Sequence, residues 1–510
     1  MEFESKLRIL QGIAECVPEN GSGEDEKDED LLQNFLPLRS YAKLADPKTF
    51  LITGGRGAGK TELFRILTSS DGLNHIISEK DRRRYTVNLS DSLFVTGYIT
   101  TGVNAKQFPA AYSCDELLEK ENPENLTAFW GGLVCAVLLR KFGDDPEIGE
   151  AAKTYLGDEI TKILENVRDE VWRWWSILDS DKGKWESFLD QADDILGQKG
   201  IRLCFVYDEL DRICSNYDKL FGFIRAILDF WYRHNSRFTN MKAKIFLRRD
   251  LYNAKALQFV DASKMGAYRL ELNWNTVSLY RLLVKRMANA KTDGQPVQEM
   301  TAYLRDIPGL LQVEANPALG YMPGDSVESF KKLIVQMVGE YMGKPPKKGR
   351  SYDWVPNHVQ DGNGEVAPRP FLKCFAFAAQ DMLENRKELE ALDGNKLLTP
   401  SSLQGALTKA SQDRVNELIS EEYQWLESLI DRLRGKTMLM GREEFLTYLQ
   451  PENWAEDDRK TLPGKTGEMI LETLLTLGIV TSTSDGRINV PDIYLHGFGL
   501  KRKGGIKRTR

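Results

Sequence analysis

The sequence predicts an α/β protein whose core is a parallel sheet covered by helices on both faces. Three observations predict it. Five short runs rich in β-branched and aromatic residues alternate with helix-like segments. The first run, residues 49–52, leads into GGRGAGKT (54–61), a glycine-rich turn that opens a helix. A later run, in IRLCFVYDE (201–209), is continuously apolar and ends on two carboxylates, as a strand buried on both faces does.

The chain has 510 residues, enough for roughly three domains of about 150 residues each. An apolar content of 41% with ten tryptophans allows a sizeable core. The net charge of −6 gives no global argument for nucleic-acid binding. Six cysteines at 16, 114, 135, 204, 214 and 374 form no CxxC pair, and with four scattered histidines no zinc spacing arises. Apolar-flanked, dispersed thiols suit a reducing compartment. The start MEFESKLRIL lacks the basic-then-apolar pattern of a secretory signal. The longest apolar run, FWGGLVCAVLL (129–139), is about half of a membrane span. It reads as a buried helix, and the expectation is a cytoplasmic protein with no membrane association.

Residues 17–33, PENGSGEDEKDEDLLQN, are acidic and polar, so 1–33 is expected to be a flexible segment with ordered structure from about Phe35. Strands follow at 49–52, 92–102, 201–209, 242–250 and 267–274. Between the second and third strands lie about a hundred helix-like residues, too many for one crossover; they read as a helical insertion over about 105–198. Its tryptophans 172, 174, 175 and 185 read as core between helices. From Trp274 the pattern turns helical: SLYRLLVKRMANA, SVESFKKLIVQMVGEYMG and RPFLKCFAFAAQDMLENRKEL, interrupted by a Gly/Pro/Lys-rich loop over 343–368. Val415, Leu418, Ile419, Leu426, Leu429, Ile430 and Leu433 continue at helical spacing. Two short helices and a hairpin, IVTSTSDGRINV with Asp485-Gly486 as its turn, end the chain in a winged-helix-like pattern. The expected domains are 34–290, 291–400 and 401–510.

Gly54, Gly55, Arg56, Gly57, Ala58, Gly59, Lys60 and Thr61 match G-x-x-x-x-G-K-[ST] in full, with Glu62 opening the helix behind them. Glycines let backbone N–H groups curl around phosphate oxygens, and the helix N-terminus adds positive potential there. Lys60 is expected to reach the β- and γ-phosphates, and Thr61 to give a hydroxyl to Mg²⁺. Asp208 is expected to hold the same Mg²⁺, and Glu209 to polarise the attacking water as general base. Asp211 and Arg212 read as capping or pairing residues at the next helix rather than nucleotide contacts.

Together these features resemble AAA+ and STAND ATPases: a P-loop, an apolar strand ending in DE, a further strand ending in a polar cluster, a helical lid and a winged helix. The DELDR stretch (208–212) is similar to that of replication-origin ATPases. FLPLRSYAKLADPKTFLITGGRGAGKTELF, KIFLRRD, MGKPPKKGRSYDWVPNHVQD and PRPFL also resemble uncharacterised bacterial P-loop ATPases, some of which accompany phage-defence effectors. The resemblance implies a P-loop NTPase core under a helical lid, ATP and Mg²⁺ as cofactors, hydrolysis, and a homo-oligomer. It also places Arg248, Arg249 and Asp250 of KIFLRRD near the γ-phosphate, although AAA+ proteins more often carry Asn, Ser or Thr there. The alternative is that these arginines pair with nearby acids. Arg369 of APRPFL matches the lid arginine that senses the γ-phosphate. An arginine acting in trans stays open among Arg233, Arg237 and Arg269.

Two classes of function remain. In one, the hairpin and the basic tail LKRKGGIKRTR (500–510) contact nucleic acid. In the other, the ATPase is a switch or scaffold for a separate effector protein. No second catalytic constellation is present in the sequence, which favours a partnered system. A small-molecule kinase fits the length poorly, and an ABC-type ATPase would need an LSGGQ-like segment that is absent.

Overall fold

Each of the five apolar runs becomes a strand of one sheet in the computed structural model, which describes residues 1–17, 28–85, 87–252, 257–259, 262–343, 349–421, 423–459 and 462–502. The strands are β1 (Leu51–Gly54), β2 (Leu93–Tyr98), β3 (Leu203–Tyr207), β4 (Met241–Arg248) and β5 (Arg269–Leu272). Their order is β2-β3-β4-β1-β5, and all four pairings are parallel. Parallel neighbours need long crossovers, which put helices on the faces. Every residue of β1 and β3 is therefore buried. Because β4 lies between β1 and β3, Leu51 pairs with Ile245 and Leu203 with Met241.

The chain divides into two compact units. The sheet unit holds Pro37–Asn273 and the preceding Glu26–Leu32 segment, as far as these are described. The helical unit holds the described residues of Met1–Asp25, Gln33–Leu36 and Trp274–Arg510. The boundary between the units falls at Asn273/Trp274, where the core was expected to run to 290. The Thr276–Ala288 helix packs on Gln298–Arg305, Val327–Met337 and Pro368–Glu384, so its buried face belongs with the helices. Residues 291–400 and 401–510 also share one unit, because the Pro368–Glu384 and Pro400–Glu421 helices pack along each other.

In the sheet unit the insertion is helical from Gly102–Ala105 to Lys182–Gln198. The Thr127–Phe142 helix is buried almost throughout. Its glycine pair is required by close approach: a Cβ on Gly131 would lie 2.7 Å from the Trp185 ring, and one on Gly132 2.7 Å from Trp174. Trp174, Trp175 and Trp185 are core, while Trp172 is half-buried beneath Lys120, whose Nζ stands 4.2 Å from the ring centroid. Against the sheet, Trp130 packs edge-on to Tyr98 and Tyr207. All six cysteines are buried free thiols.

Two expectations for the helical unit are corrected. Residues 1–33 were expected to be flexible, yet Phe3–Glu15 is a helix whose Leu7, Ile9, Leu10 and Ile13 are buried against Pro368–Glu384 and Gln298–Arg305. Apolar residues three apart make one face of that helix, and burial of the face outweighs the acidic composition that follows. The acidic run itself lies mostly outside the described residues. The loop expected over 343–368 contains a helix, Ser351–His358, with Pro356 inside it.

Pro356 has no N–H to give to the Tyr352 carbonyl four residues back. That carbonyl instead accepts a 2.5 Å hydrogen bond from the buried Tyr280 hydroxyl. Tyr280→Phe removes the donor and keeps the ring. It is expected to destabilise the protein by about 1–2 kcal/mol, read as a lower denaturant midpoint, because a buried acceptor loses a partner.

The C-terminal hairpin forms as expected: Thr481–Ser482 pairs antiparallel with Ile488–Asn489 around Asp485-Gly486. Lys501–Arg502 runs parallel to Thr437–Met438. Residues 503–510 of the basic tail lie outside the described residues. Among the described residues, no helix is long and apolar enough to cross a membrane.

Candidate nucleotide site

The carboxyl ends of β1, β4 and β3 lie side by side, and each delivers chemistry-bearing residues to the same edge of the sheet. Ligands of open α/β sheets bind at such ends. After β1 the chain turns through Gly57 (φ 70°) and Gly59 (φ 90°) into the Lys60–Thr68 helix. Both lie in the left-handed region, where a Cβ is penalised. The helix N-cap is Gly59, which has no side chain to cap the first turn. Lys60 Nζ donates to the loop carbonyls of Gly54 (3.2 Å) and Gly55 (2.8 Å). Burial pushes its pKa down to about 8, with Arg248 acting in the same direction and Asp208, Asp211 and Asp250 opposing.

β3 brings Asp208 to this loop. Its carboxylate bonds the Thr61 hydroxyl, and its Oδ2 is buried with no hydrogen-bond partner among the described residues. A buried, unpartnered carboxylate oxygen beside a threonine hydroxyl fits a hard divalent cation such as Mg²⁺. Burial pushes the Asp208 pKa up to about 7 from an ordinary 3.8, while the Glu209 backbone N–H and Lys60 oppose. A proton then competes with the cation. Mg²⁺-dependent nucleotide affinity is expected to fall about tenfold per unit as pH drops below ~7, measured by nucleotide titration at fixed Mg²⁺. The linkage to stability has the same origin. With a raised folded pKa, the Asp208 contribution is present below about 3.8 and is lost as pH rises through about 7.

Glu209 is buried at the next position, with φ 56° and ψ 31°. For a non-glycine residue this conformation costs about 1–3 kcal/mol. Its carboxylate is held by three donors: Thr100 N–H (3.0 Å), Thr100 Oγ1 (2.5 Å) and Thr101 Oγ1 (2.7 Å). Sequence reasoning missed these threonines. The available signal was YITTG, two hydroxyls just past the end of a strand.

The arginines of β4 divide. Arg248 gives Nε and Nη2 to Asp250 (3.1 and 2.7 Å) and Nη1 to Asp211 (3.1 Å), so it pairs with acids while standing near Lys60. Arg249 turns toward β5, with Nε 2.9 Å from Glu271 and Nη2 2.6 Å from Asn273. Arg369 belongs to the helical unit, where it faces Glu417 at 3.6 Å. The open candidates also have partners: Arg233 with Asp229, Arg237 with Glu186 and Asp190, and Arg269 with Glu271. One unit therefore brings together Lys60, Thr61, Asp208, Glu209 and Arg248, and sets Arg249 to one side.

No protein-family model matches the chain, and neither does any curated protein. Among solved structures it is similar to the Aeropyrum pernix ORC2 protein, solved as ADPNP–ADP complexes. Identity is 11% over 92% of this chain and 97% of that one, at a TM-score of 0.37. So loose a likeness carries no residue role across.

Proposed function

We propose that this chain binds ATP with Mg²⁺ and hydrolyses it, as an ATPase of AAA+/STAND type. One observation carries the reading: Lys60, Thr61, Asp208 and Glu209 converge at the carboxyl ends of β1 and β3, with a glycine loop and an uncapped helix N-terminus beside them. In this reading the loop amides and Lys60 hold the phosphates, and Glu62 and Arg56 flank them. Asp208 and Thr61 would hold Mg²⁺, which would supply charge neutralisation on the phosphates. Glu209 takes a proton from the water that attacks the γ-phosphorus as the bond to the β-phosphate oxygen breaks. The bonds from Thr100 and Thr101 restrain Glu209 until nucleotide or a partner rearranges them.

The cycle then offers two states for a partner to read. The expected assembly is a homo-oligomer acting with a separate effector protein. A place in bacterial phage defence rests on the sequence resemblance alone. A second reading, in which the winged-helix-like end engages nucleic acid, is favoured by one observation. Arg502 reaches the Asn489 side chain at 3.3 Å, so the chain enters its basic tail beside the hairpin.

The test is the ATPase rate and molecular mass of the purified protein, with and without DNA and RNA, at low and physiological salt. Mg²⁺-dependent ATP turnover supports the core reading, and its absence overturns it. Stimulation by nucleic acid that fades with salt selects the second reading. Assembly driven by ATP alone selects the partnered switch.

A further inference from the structure

Glu209 is kept in a conformation its backbone resists, and the groups around it come from three elements. Thr100 and Thr101, after β2, take its carboxylate. On the main-chain side, Arg212 N–H donates to the Glu209 carbonyl at 3.0 Å and closes the short Leu210–Arg212 turn. Asp211, in the middle of that turn, accepts from Arg248 at the end of β4. Arg248 is itself fastened to Asp250 through two donors. A guanidinium gripped in a fork by one carboxylate is oriented, so its remaining edge meets the second carboxylate at a set place. The Arg248 side chain is only 13% exposed. Removing the Asp211 carboxylate would take away the bond from Arg248 to the turn while the fork on Asp250 stays.

We propose that Arg248 and Asp211 are a positioning pair for Glu209: their ion pair pins the Leu210–Arg212 turn against the end of β4 and so keeps the glutamate aimed. The proposal rests on Glu209 as hydrolytic base and gives Arg248 a role other than direct contact with the γ-phosphate. It also accounts for an Asp-x-x-Asp-Arg spacing in which Asp208 serves the cation and Asp211 serves the turn.

The test compares Asp211→Asn, Arg248→Gln and the double variant with the full-length wild type. Two readouts are taken: steady-state ATP hydrolysis, and hydrogen–deuterium exchange of the amides of residues 209–213. Each single variant is expected to lower kcat about tenfold while KM for ATP stays within about twofold. The double variant is expected to be no worse than either single one, because the two side chains act as a unit. Arg248→Lys is expected not to rescue, since an ammonium cannot make the fork. Exchange over 209–213 is expected to rise in every variant.

Two results overturn the proposal. One is a kcat for Asp211→Asn equal to that of wild type. The other is a KM raised about tenfold by Arg248→Gln alone, which would put the guanidinium on the phosphate. A wild type that does not hydrolyse ATP removes the proposed function instead. The exchange measurement still judges the pair in that case, and unchanged protection at 209–213 overturns it.

Discussion

Glu209→Gln is expected to lower ATP hydrolysis by about 10²–10⁴-fold while nucleotide stays bound. The substitution keeps size and leaves Asp208 and the glycine loop untouched, so phosphate and cation contacts persist. What it removes is the group able to accept a proton from water. Structure sharpens the expectation, because the Glu209 carboxylate accepts from Thr100 and Thr101 at 2.5–3.0 Å. An amide has one acceptor oxygen where a carboxylate has two. The threonine clasp therefore loosens as well. Rapid-quench hydrolysis beside a nucleotide-retention assay separates the two effects. Hydrolysis at the wild-type rate with nucleotide bound would place the base elsewhere.

Lys60→Ala is expected to weaken ATP binding by about a hundredfold or more, or ~2.7 kcal/mol. Lys60 Nζ already sits on the loop, on the carbonyls of Gly54 and Gly55. Those bonds are expected to be exchanged for phosphate oxygens on binding, and alanine supplies neither. Thermal unfolding gives a direct reading. A ligand at a hundred times its Kd stabilises a protein by about 2.7 kcal/mol. ATP is therefore expected to shift the wild-type transition and leave that of Lys60→Ala in place. An equal ATP-induced shift in both proteins would move the nucleotide site away from this loop. The two variants also separate binding from chemistry, since only Glu209→Gln should trap ATP.

Much of the site was legible because its requirements are local. The loop needs left-handed backbone at Gly57 and Gly59, and only glycine adopts it cheaply, so the need is written into the motif. A strand covered on both faces must be apolar without alternation, which marked β1 and β3 and put Asp208 and Glu209 at a strand end. Trp174, Trp175 and Trp185 were legible as core for a similar reason, since large apolar rings default to the interior, whereas Trp172 is only half-buried. The Phe3–Glu15 helix was missed because acidic composition downstream masked a short amphipathic face. The Ser351–His358 helix was missed because Pro356 argues against a helix, and the Tyr280 hydroxyl that takes up the freed carbonyl lies 72 residues earlier.

Period, glycine placement and apolar runs act within a few residues, so the class of fold, the glycine loop and the two carboxylates could be read locally. Tertiary structure decided who touches whom. Insertion of β4 between β1 and β3 brings Arg248 beside Lys60 and onto Asp211, a pairing across 37 residues. Return of the chain after β2 sets Thr100 against Glu209 across 109 residues. Strand order comes from which crossovers pack together, and no local propensity encodes it. Glu209 could therefore be picked out from sequence as the candidate base, while the Thr100, Thr101 and Arg248–Asp211 contacts around it appear only in the folded sheet.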